Sequence, residues 1–408
     1  MRTIGLDVGR QFAEVAIREE GRTRSAGRIP VTPDGLRAFA ASLRADDEVV
    51  LEATTNTWAI AGLLAERAGR VVVSNPLRTR AIADARHKTD RIDAAVLAEL
   101  GAARYIPEVW QPDTATRELR SLVAHRAALV GVRTAQRNRV HAVLARALVS
   151  PPMTELFGAG GRAWLRTVDL ADIARLELEA ALRLHDAAEA EIAAADRRVA
   201  ERVVDDPRVR HLLTIPGVGV GVAAGLVALI GDVTRFPRPG QLASYLGLDP
   251  KVRQTGGKPA FTGHISRAGQ AHARGLLIEA AHAAVRVPGP LRAFHARLLR
   301  RRHSSGVAVV ATARKLAVLI WHLLTRDEDY RFSPPLRTAE KVRHLELAAG
   351  WPRRSPGGSG PGRSVDARRV QRANERAVLE VAEAAYVELV RARAGRGALD
   401  AAAAPGSD

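Results

Sequence analysis

Four acidic residues near the start of the chain have the types and spacing of a cation-binding site. Asp7 interrupts the apolar run TIGLDV, Glu52 ends the run EVVLE, and Asp90 and Asp93 stand three apart in KTDRIDAAVLAEL. A carboxylate within an apolar strand is costly unless it has a partner, and a three-residue spacing puts two acids on one helix face. Carboxylates brought together repel one another unless protons or divalent cations neutralise them. Oxygen ligands of this kind suit Mg²⁺, which commonly assists phosphodiester chemistry.

Each of these acids also has a purely structural interpretation. Asp90 suits the N-cap or the first turn of a helix, Glu52 suits an exposed strand end, and Asp7 suits the start of a turn before Gly9. The order Asp, Glu, Asp-x-x-Asp across neighbouring elements is harder to explain in this way. We therefore predict that Asp7, Glu52, Asp90 and Asp93 bind Mg²⁺ together.

A second candidate for chemistry is the hydroxyl of Thr255 in the stretch KVRQTGGKPAFTGHIS. Next to Gly256 and Gly257 the backbone is free to approach a ligand closely, so the hydroxyl either acts on a phosphate or lies in a tight turn between two strands. Basic residues around it are candidates to hold that phosphate, and their alternative is a solvated hairpin. These residues are Arg253, Lys258, His264 and Arg267.

A glycine-rich turn in LLTIPGVGVGVAAGLV separates two apolar helical segments. Gly217 and Gly219 in this turn are typical of a helix-hairpin-helix motif, whose backbone N–H groups and helix N-terminus accept a phosphate. The alternative is a tight packing turn between two core helices.

Composition favours a polyanionic partner, and the alternative is an arginine-rich chain from a GC-rich gene whose charge in part only solvates the surface. The chain has 408 residues, a formal net charge of +18 and no cysteine. The absence of cysteine excludes disulfides, a thiolate nucleophile and cysteine-ligated zinc. Its start lacks the features of a signal peptide, which predicts a cytoplasmic protein. The longest apolar run contains Arg314 and Lys315, so we expect a buried or interface helix and no membrane span.

The order of predicted elements defines an α/β N-terminal domain. Three short-linked strands, TIGLDV, QFAEVAIRE and TRSAGRIPV, predict an antiparallel meander. Alternating helices and strands follow, which requires parallel crossovers. A meander continued by βαβα units is the element order of a ribonuclease H-like (RuvC-like) fold.

Further along the chain the patterns are helical. Two long helices on either side of FGAGGR predict an antiparallel coiled-coil hairpin suited to dimerisation, with a helical spacer as the alternative. The predicted organisation is a RuvC-like domain at 1–107, a hairpin at 108–205, a mainly α C-terminal domain at 206–350, and a flexible linker, helix and tail at 351–408.

The chain resembles the DEDD transposases of bacterial insertion sequences, the IS one-ten family, which are similar to bridge-RNA-guided recombinases. The resemblance covers about residues 1–350 and rests on motifs in a fixed order. These include GLDVG, VVLEA, KTDRIDAAVLAEL, RNRVHAVLAR, IPGVG, QLASYLGLDP and GGKPAFTGHISRAGQ. It implies that the family's four metal-binding acids correspond to Asp7, Glu52, Asp90 and Asp93.

The resemblance also implies a serine nucleophile just before the glycine pair, and Thr255 occupies that position. Three interpretations are open. Threonine acts as the nucleophile, the substitution inactivates this copy, or the alignment is shifted by one residue. The added methyl group restricts χ1 and crowds the line of attack.

Several partners follow from the resemblance alone. It implies element-end and target DNA, a structured guide RNA, and a homo-oligomer in which one subunit supplies the acids and another supplies the hydroxyl. The alternatives are a Mg²⁺-dependent junction-resolving nuclease, in which activated water attacks, and a catalytically inactive DNA-binding remnant.

Overall fold

Short apolar runs in the first third of the chain form a five-stranded mixed sheet. The computed structural model describes residues 2–82, 89–254, 261–266, 268–352 and 365–403. The chain divides after Asp113 into two compact units, Met1–Asp113 and Thr114–Asp408. The first contains β1 Thr3–Val8, β2 Phe12–Glu19, β3 Arg22–Pro30, α1 Pro33–Ala41, β4 Glu48–Glu52, α2 Thr57–Ala65, β5 Arg70–Ser74, α3 Pro76–Ile82 and α4 Asp90–Ala102.

The strand order of this sheet is β3-β2-β1-β4-β5. Strands β1, β2 and β3 pair antiparallel, whereas β1, β4 and β5 pair parallel. The predicted meander followed by parallel crossovers is therefore confirmed. The carboxyl ends of β1 and β4 meet at one edge of the sheet, because these two strands are parallel neighbours.

The two faces of the sheet carry different layers. Ile4 and Leu6 of β1 point to the face that packs on α1 and α2, in a core that also contains Leu36 and Leu64. On the other face, Ala16 of β2 packs on α4. Thr89 is the N-cap of helix α4, and its side chain accepts a hydrogen bond from the backbone N–H of Ile92.

Helix α4 lies against the backbone of β1 because residue 5 is glycine. A Cβ added at Gly5 would come within 2.0 Å of the Ala94 carbonyl oxygen and 2.6 Å of the Ala98 nitrogen. Both contacts are to backbone, which a side-chain rotation cannot relieve. The missing side chain at Gly5 therefore allows α4 to pack closely on the sheet.

We expect Gly5→Ala to push α4 away from the sheet and to lower the free energy of unfolding by about 1–3 kcal/mol or more. Gly62→Ala in α2 is the matched control, since a Cβ there meets nothing within 4 Å. It should leave stability unchanged or raise it by about 0.5–1 kcal/mol. Hydrogen exchange in β1 and α4 measures the difference, and equal protection in the two variants would contradict the close packing at Gly5.

A buried ion pair fixes the start of β1 to the chain before β4. The Arg2 guanidinium donates to both carboxylate oxygens of Asp47, at 2.9 and 2.5 Å, and the Asp47 side chain is fully buried. Burial raises the pKa of Asp47, but the hydrogen bonds from Arg2 and from the Arg44 backbone outweigh it, so the net pKa is lowered. The folded state thus binds fewer protons at this carboxyl than the unfolded state does.

We expect this contribution to stability to be present above pH ~4 and to be lost as the pH falls through the lowered pKa of Asp47. Asp47→Asn should cost about 3 kcal/mol at neutral pH and flatten that acid dependence. Asp34→Asn, at an exposed pair with Arg37, is the control and should cost less than about 0.5 kcal/mol. Hydrogen exchange in β1 and β4 at several pH values reports the effect, and an unchanged acid profile in Asp47→Asn would refute it.

The second unit is almost entirely helical. It contains α5 Thr114–Arg146, α6 Ala159–Thr167, α7 Asp172–Val203, α8 Pro207–Leu213, α9 Val220–Ile230, α10 Pro239–Tyr245, β6 Pro250–Arg253, β7 Phe261–Ile265, α11 Ala271–Ala284, α12 Pro290–Arg302, α13 Ser305–Arg326, α14 Pro335–Ala348 and α15 Val365–Ala403. A short 3₁₀ turn, Val233–Arg235, follows α9.

Helices α5 and α7 form an antiparallel pair. Ion pairs join Glu118 to Arg202, Arg126 to Asp196, Arg133 to Glu189 at 3.1 Å and Arg146 to Glu177. The hairpin does not form a compact unit of its own, because Leu119 and Val199 belong to the same core as the C-terminal helices. The coiled-coil geometry and dimerisation through it stay predictions.

The long apolar helix is α13. By length and composition alone it is able to cross a membrane. Leu316 and Ile320 are fully buried in the core of the second unit, as expected for a buried helix.

The C-terminal helix α15 docks on the helices before it. Glu383 accepts hydrogen bonds from Arg292 and from the Gly289 backbone, and Leu379 is buried. Arg372 donates to Glu340 of α14 at 2.7 Å. The flexible linker predicted before this helix lies outside the described residues, whereas the helix itself packs on α12 and α14 of the second unit.

Candidate functional site

Asp7 and Glu52 project from the same face of the sheet, towards the α4 side. Gly5 faces α4, and a Cβ at Gly101 of α4 would meet the Val50 side chain at 2.7 Å. Asp7 and Glu52 each lie two residues beyond Gly5 and Val50, so the period of two in a strand gives them the same face. Both are half-buried at the carboxyl ends of adjacent parallel strands.

Helix α4 runs antiparallel to β1 and brings its first turn to this edge. Gly101 lies at the level of Thr3, and Ala94 lies at the level of Gly5. Continuing towards the start of the helix places Asp90 and Asp93 at the level of Asp7. Asp90 is exposed and Asp93 is half-buried. The four predicted acids thus belong to three elements that meet at one edge of the sheet.

The donor chemistry of this edge fits a hard divalent cation, but the side chains do not form a closed coordination site. Within the described residues, which include all four acids, no group of three or more acidic or histidine side chains lies close enough to hold a metal ion. The elements that carry the four acids meet at one edge of the sheet, and joint binding of a metal ion by the four carboxylates stays a prediction. The two acids of the helix differ in exposure, with Asp90 exposed and Asp93 half-buried.

Two further charged residues lie at this edge that the sequence patterns did not predict as site residues. Glu14 of β2 pairs in register with Asp7, and Arg28 of β3 pairs in register with Glu14. Glu14 is buried to 9% exposure, and its carboxylate accepts a hydrogen bond from Arg28 Nε. The signal was available in part, since Glu14 interrupts the apolar strand FAEVAIRE in the same way that Asp7 interrupts its own.

The glycine-rich turn of the second unit connects α8 to α9. Gly217 has a φ of 85°, and a Cβ there would meet the Ala280 carbonyl oxygen at 2.4 Å and the Ala284 nitrogen at 2.5 Å. Packing against α11 is therefore sufficient to explain Gly217. Gly219 is the N-cap residue of α9 and has open space around its Cα.

A cavity of about 420 Å³ lies beside Gly219 and is lined mainly by basic side chains. Lys341, one of its lining residues, donates hydrogen bonds to the carbonyls of Leu213 at 2.7 Å and Ile215 at 2.9 Å. Burial, together with the nearby Arg337, lowers the pKa of Lys341 to about 8. The other lining residues are Val220, Glu340, His344 and Arg372.

The stretch that contains Thr255 connects the two strands of a small antiparallel hairpin, β6 and β7. Arg253 on β6 and His264 on β7 are exposed. Arg314 of α13 supports the base of this hairpin by donating to the Leu248 carbonyl at 3.1 Å and to Asp249 at 2.7 Å. Thr255, Lys258 and Arg267 lie outside the described residues.

Comparisons with known proteins match both units. The family model described as "Transposase", of the IS110-type DEDD transposases, matches residues 4–148, and that of the "Transposase IS116/IS110/IS902 family" matches residues 209–296. A "Probable family 20 transposase" of Pseudomonas aeruginosa is 32% identical over 257 residues, which is 60% of this chain and 74% of the relative. The chain belongs to the IS110 family of DEDD transposases.

Other relatives carry related names. The "Transposase for insertion sequence element IS1111A" of Coxiella burnetii is 37% identical over 138 residues, which is 33% of this chain and 37% of the relative. The "Pilin gene-inverting protein" of Moraxella bovis is 24% identical over 297 residues, which is 69% of this chain and 81% of the relative. The protein is therefore a DNA transposase by family.

The two family matches divide the candidate residues of this DEDD transposase between them. The N-terminal match contains Asp7, Glu52, Asp90 and Asp93, and also Glu14 and Arg28. The C-terminal match contains Gly217, Gly219 and the β6–β7 hairpin with Thr255. Helices α14 and α15, which supply basic residues to the 420 Å³ cavity, lie beyond both matches.

Proposed function

We propose that this transposase cuts and rejoins DNA at specific sites, with carboxylates on the N-terminal sheet edge and a hydroxyl at position 255. The observation that carries the proposal is the meeting of three acid-bearing elements. Asp7 and Glu52 end adjacent parallel strands on one face, and the first turn of α4 lies at their level. The sheet order is that of a ribonuclease H-like fold, which supports the same chemistry.

Asp7, Glu52, Asp90 and Asp93 are the proposed ligands of a divalent cation, with Mg²⁺ as the preferred ion because all four donors are hard oxygens. When bound, such an ion supplies positive charge to the phosphate under attack and to the leaving oxygen. Three of these side chains, those of Asp7, Glu52 and Asp93, are half-buried.

The role of Thr255 is that of the attacking hydroxyl. Its oxygen would lose its proton to water and form a bond to phosphorus while the bond to the leaving 3′ or 5′ oxygen breaks and that oxygen takes up a proton. The energy of the phosphodiester is conserved in a protein–DNA link. The methyl group of threonine restricts χ1, so this residue should react more slowly than serine. The acids belong to the first unit and position 255 falls within the sequence range of the second, and the proposed site is a composite of two subunits.

Nucleic-acid binding is proposed for the basic surfaces of the second unit. The net charge of +18 favours contacts with phosphates. Candidate contacts are Gly219 with the basic cavity beside it, and Arg253, Lys258, His264 and Arg267 around the β6–β7 hairpin. Gly217 is a weaker candidate because packing explains it.

Guidance by a structured RNA rests on the family resemblance. In that arrangement base pairing supplies the sequence specificity and the protein contacts the backbones of RNA and DNA. Site-specific recombination also agrees with the printed name of the Moraxella bovis relative, which inverts a pilin gene. A protein acting on chromosomal DNA in this way would work in the cytoplasm, at the nucleoid.

The experiment that tests the proposal is incubation of the full chain with element-end DNA, the adjacent non-coding RNA and Mg²⁺, followed by a search for a protein–DNA adduct. Cleavage with an adduct supports the proposed recombinase. Cleavage without an adduct supports a junction-resolving nuclease, and binding without cleavage supports an inactive remnant.

A further inference from the structure

Arg28 lies in a row of charged residues that crosses the sheet at the acidic edge. It pairs in register with Glu14, which pairs in register with Asp7. Cross-strand neighbours share a face, so all three side chains project to the α4 side. The four predicted acids do not account for a positively charged side chain, that of Arg28, in this row.

The guanidinium of Arg28 is anchored at one point. Its Nε donates to Glu14 Oε1, and the Glu14 side chain is 11% exposed whereas the Arg28 side chain is 67% exposed. In the part of the chain that the structure describes, the terminal nitrogens of Arg28 have no hydrogen-bond partner. A pair that served only to neutralise Glu14 would gain more from a bidentate geometry.

The backbone beside Arg28 is irregular in a way that redirects the strand. The β2–β3 register shifts between Val15 and Ala16, opposite Gly27, which has a φ of 87°. Bulges of this kind occur next to active sites, where they redirect a side chain. Here the shift comes directly before Arg28 and sets its alignment with Glu14.

Arg28 is also within electrostatic range of the first residue of α4. The hydrogen bond to Glu14 is the main cause that raises the pKa of Arg28, and the charges of Glu14 and Asp90 raise it further. The exposed end of the guanidinium therefore lies near the acids of the sheet edge. A planar fork of N–H donors in this place matches the oxygens of a phosphate.

We propose that Arg28 binds a backbone phosphate of the DNA strand at the acidic edge and that Glu14 positions its guanidinium for this contact. The inference rests on the proposed function, because it takes the edge to be where DNA is cut. The positive charge of Arg28 offsets part of the repulsion that the carboxylates alone would exert on a DNA phosphate.

Binding without cleavage provides the test. The full chain in EDTA is titrated with fluorescent element-end duplex at several NaCl concentrations, for Arg28→Ala and for the control Arg24→Ala. Arg24 is an exposed arginine of the same strand, opposite Ile17 and hence on the other face. We expect Arg28→Ala to weaken binding about tenfold and to reduce the salt slope by about 1, and Arg24→Ala to change both less.

Duplexes with a single neutral methylphosphonate locate the contact. Wild type should lose affinity at one phosphate near the cleavage site, and Arg28→Ala should be insensitive at that position. Glu14→Gln retains the arginine and should spread this sensitivity over neighbouring phosphates, an effect that loss of stability would not produce. Unchanged hydrogen exchange in β2 and β3 confirms that the variants fold.

The inference is overturned if Arg28→Ala keeps the salt slope and the methylphosphonate profile of wild type, or if it weakens binding of the guide RNA and not of DNA. Failure of the proposed function gives a different result. If Asp7→Asn still cleaves DNA, the proposed metal chemistry is wrong. The Arg28 experiment measures DNA binding without cleavage, so its result does not depend on that outcome.

Discussion

Asp7→Asn should abolish DNA cleavage by the full chain and leave DNA binding intact. Asp7 is half-buried at the end of the central strand β1, on the face that α4 covers. Replacing the carboxylate by an amide removes a charged oxygen ligand at the place where strand, neighbouring strand and helix meet. The loss of a metal ligand costs several kcal/mol of transition-state stabilisation, so we expect a decrease in rate of about 10³-fold or more.

The measurement is single-turnover cleavage of element-end DNA with guide RNA and Mg²⁺, with EDTA as the metal-free reference. Glu52→Gln should behave in the same way, because Glu52 ends the adjacent parallel strand. Asp34→Asn, an exposed acid of the same unit, is the control and should cleave at the wild-type rate. Full cleavage by Asp7→Asn would show that the sheet edge is not the reacting site.

Thr255→Ala should eliminate the covalent protein–DNA adduct completely, since alanine has no oxygen to attack phosphorus. Thr255→Ser is the informative companion. It retains the hydroxyl and removes the methyl group that restricts χ1, so we expect adduct formation to become faster, by about tenfold or more if the methyl group displaces the line of attack. Denaturing gel electrophoresis of labelled DNA measures both variants.

Ser266 and Ser244 provide the controls for this prediction. Ser266 follows β7, and its hydroxyl accepts a hydrogen bond from the Ala268 backbone, whereas Ser244 is exposed near the end of α10. Alanine at either position should leave the adduct in place. An adduct that survives in Thr255→Ala and disappears in Ser266→Ala would mean that the family alignment was assigned to the wrong hydroxyl.

The sheet and its helices were predictable because their signals are local. Apolar runs in TIGLDV and EVVLE indicate buried strands, and Thr89 ahead of DRIDAAVLAEL indicates a helix start. The parallel pairing of β1 with β4 then follows from the alternation of strands and helices. Placing Asp7 and Glu52 at one edge required no information beyond these elements.

Contacts between distant segments were not predictable in the same way. The pair of Glu14 and Arg28 depends on a register that an irregularity at Gly27 shifts, and no local pattern reports this. Gly217 was ambiguous between phosphate binding and packing, and its partners lie on α11, far along the chain. Similarly, α15 was predicted as a helix, but its docking through Glu383 and Arg372 depends on residues of α12 and α14.

Ligation of a metal is the part of the site that stays a prediction. The order of four acids in elements that meet at one edge implied convergence, and the structure gives the shared edge without a group of three ligating side chains among the described residues. Side-chain convergence depends on helix position to within about an ångström, which sequence patterns do not report.

The most direct measurement of the proposed chemistry is identification of the atom that becomes joined to DNA. The full chain, element-end DNA, guide RNA and Mg²⁺ are mixed, the reaction is stopped by denaturation, and the protein is digested and mapped by mass spectrometry. We expect one DNA-linked peptide, with the bond at Thr255, and no such peptide from Asp7→Asn. Efficient cleavage with no DNA-linked peptide in the wild-type chain would contradict the proposal.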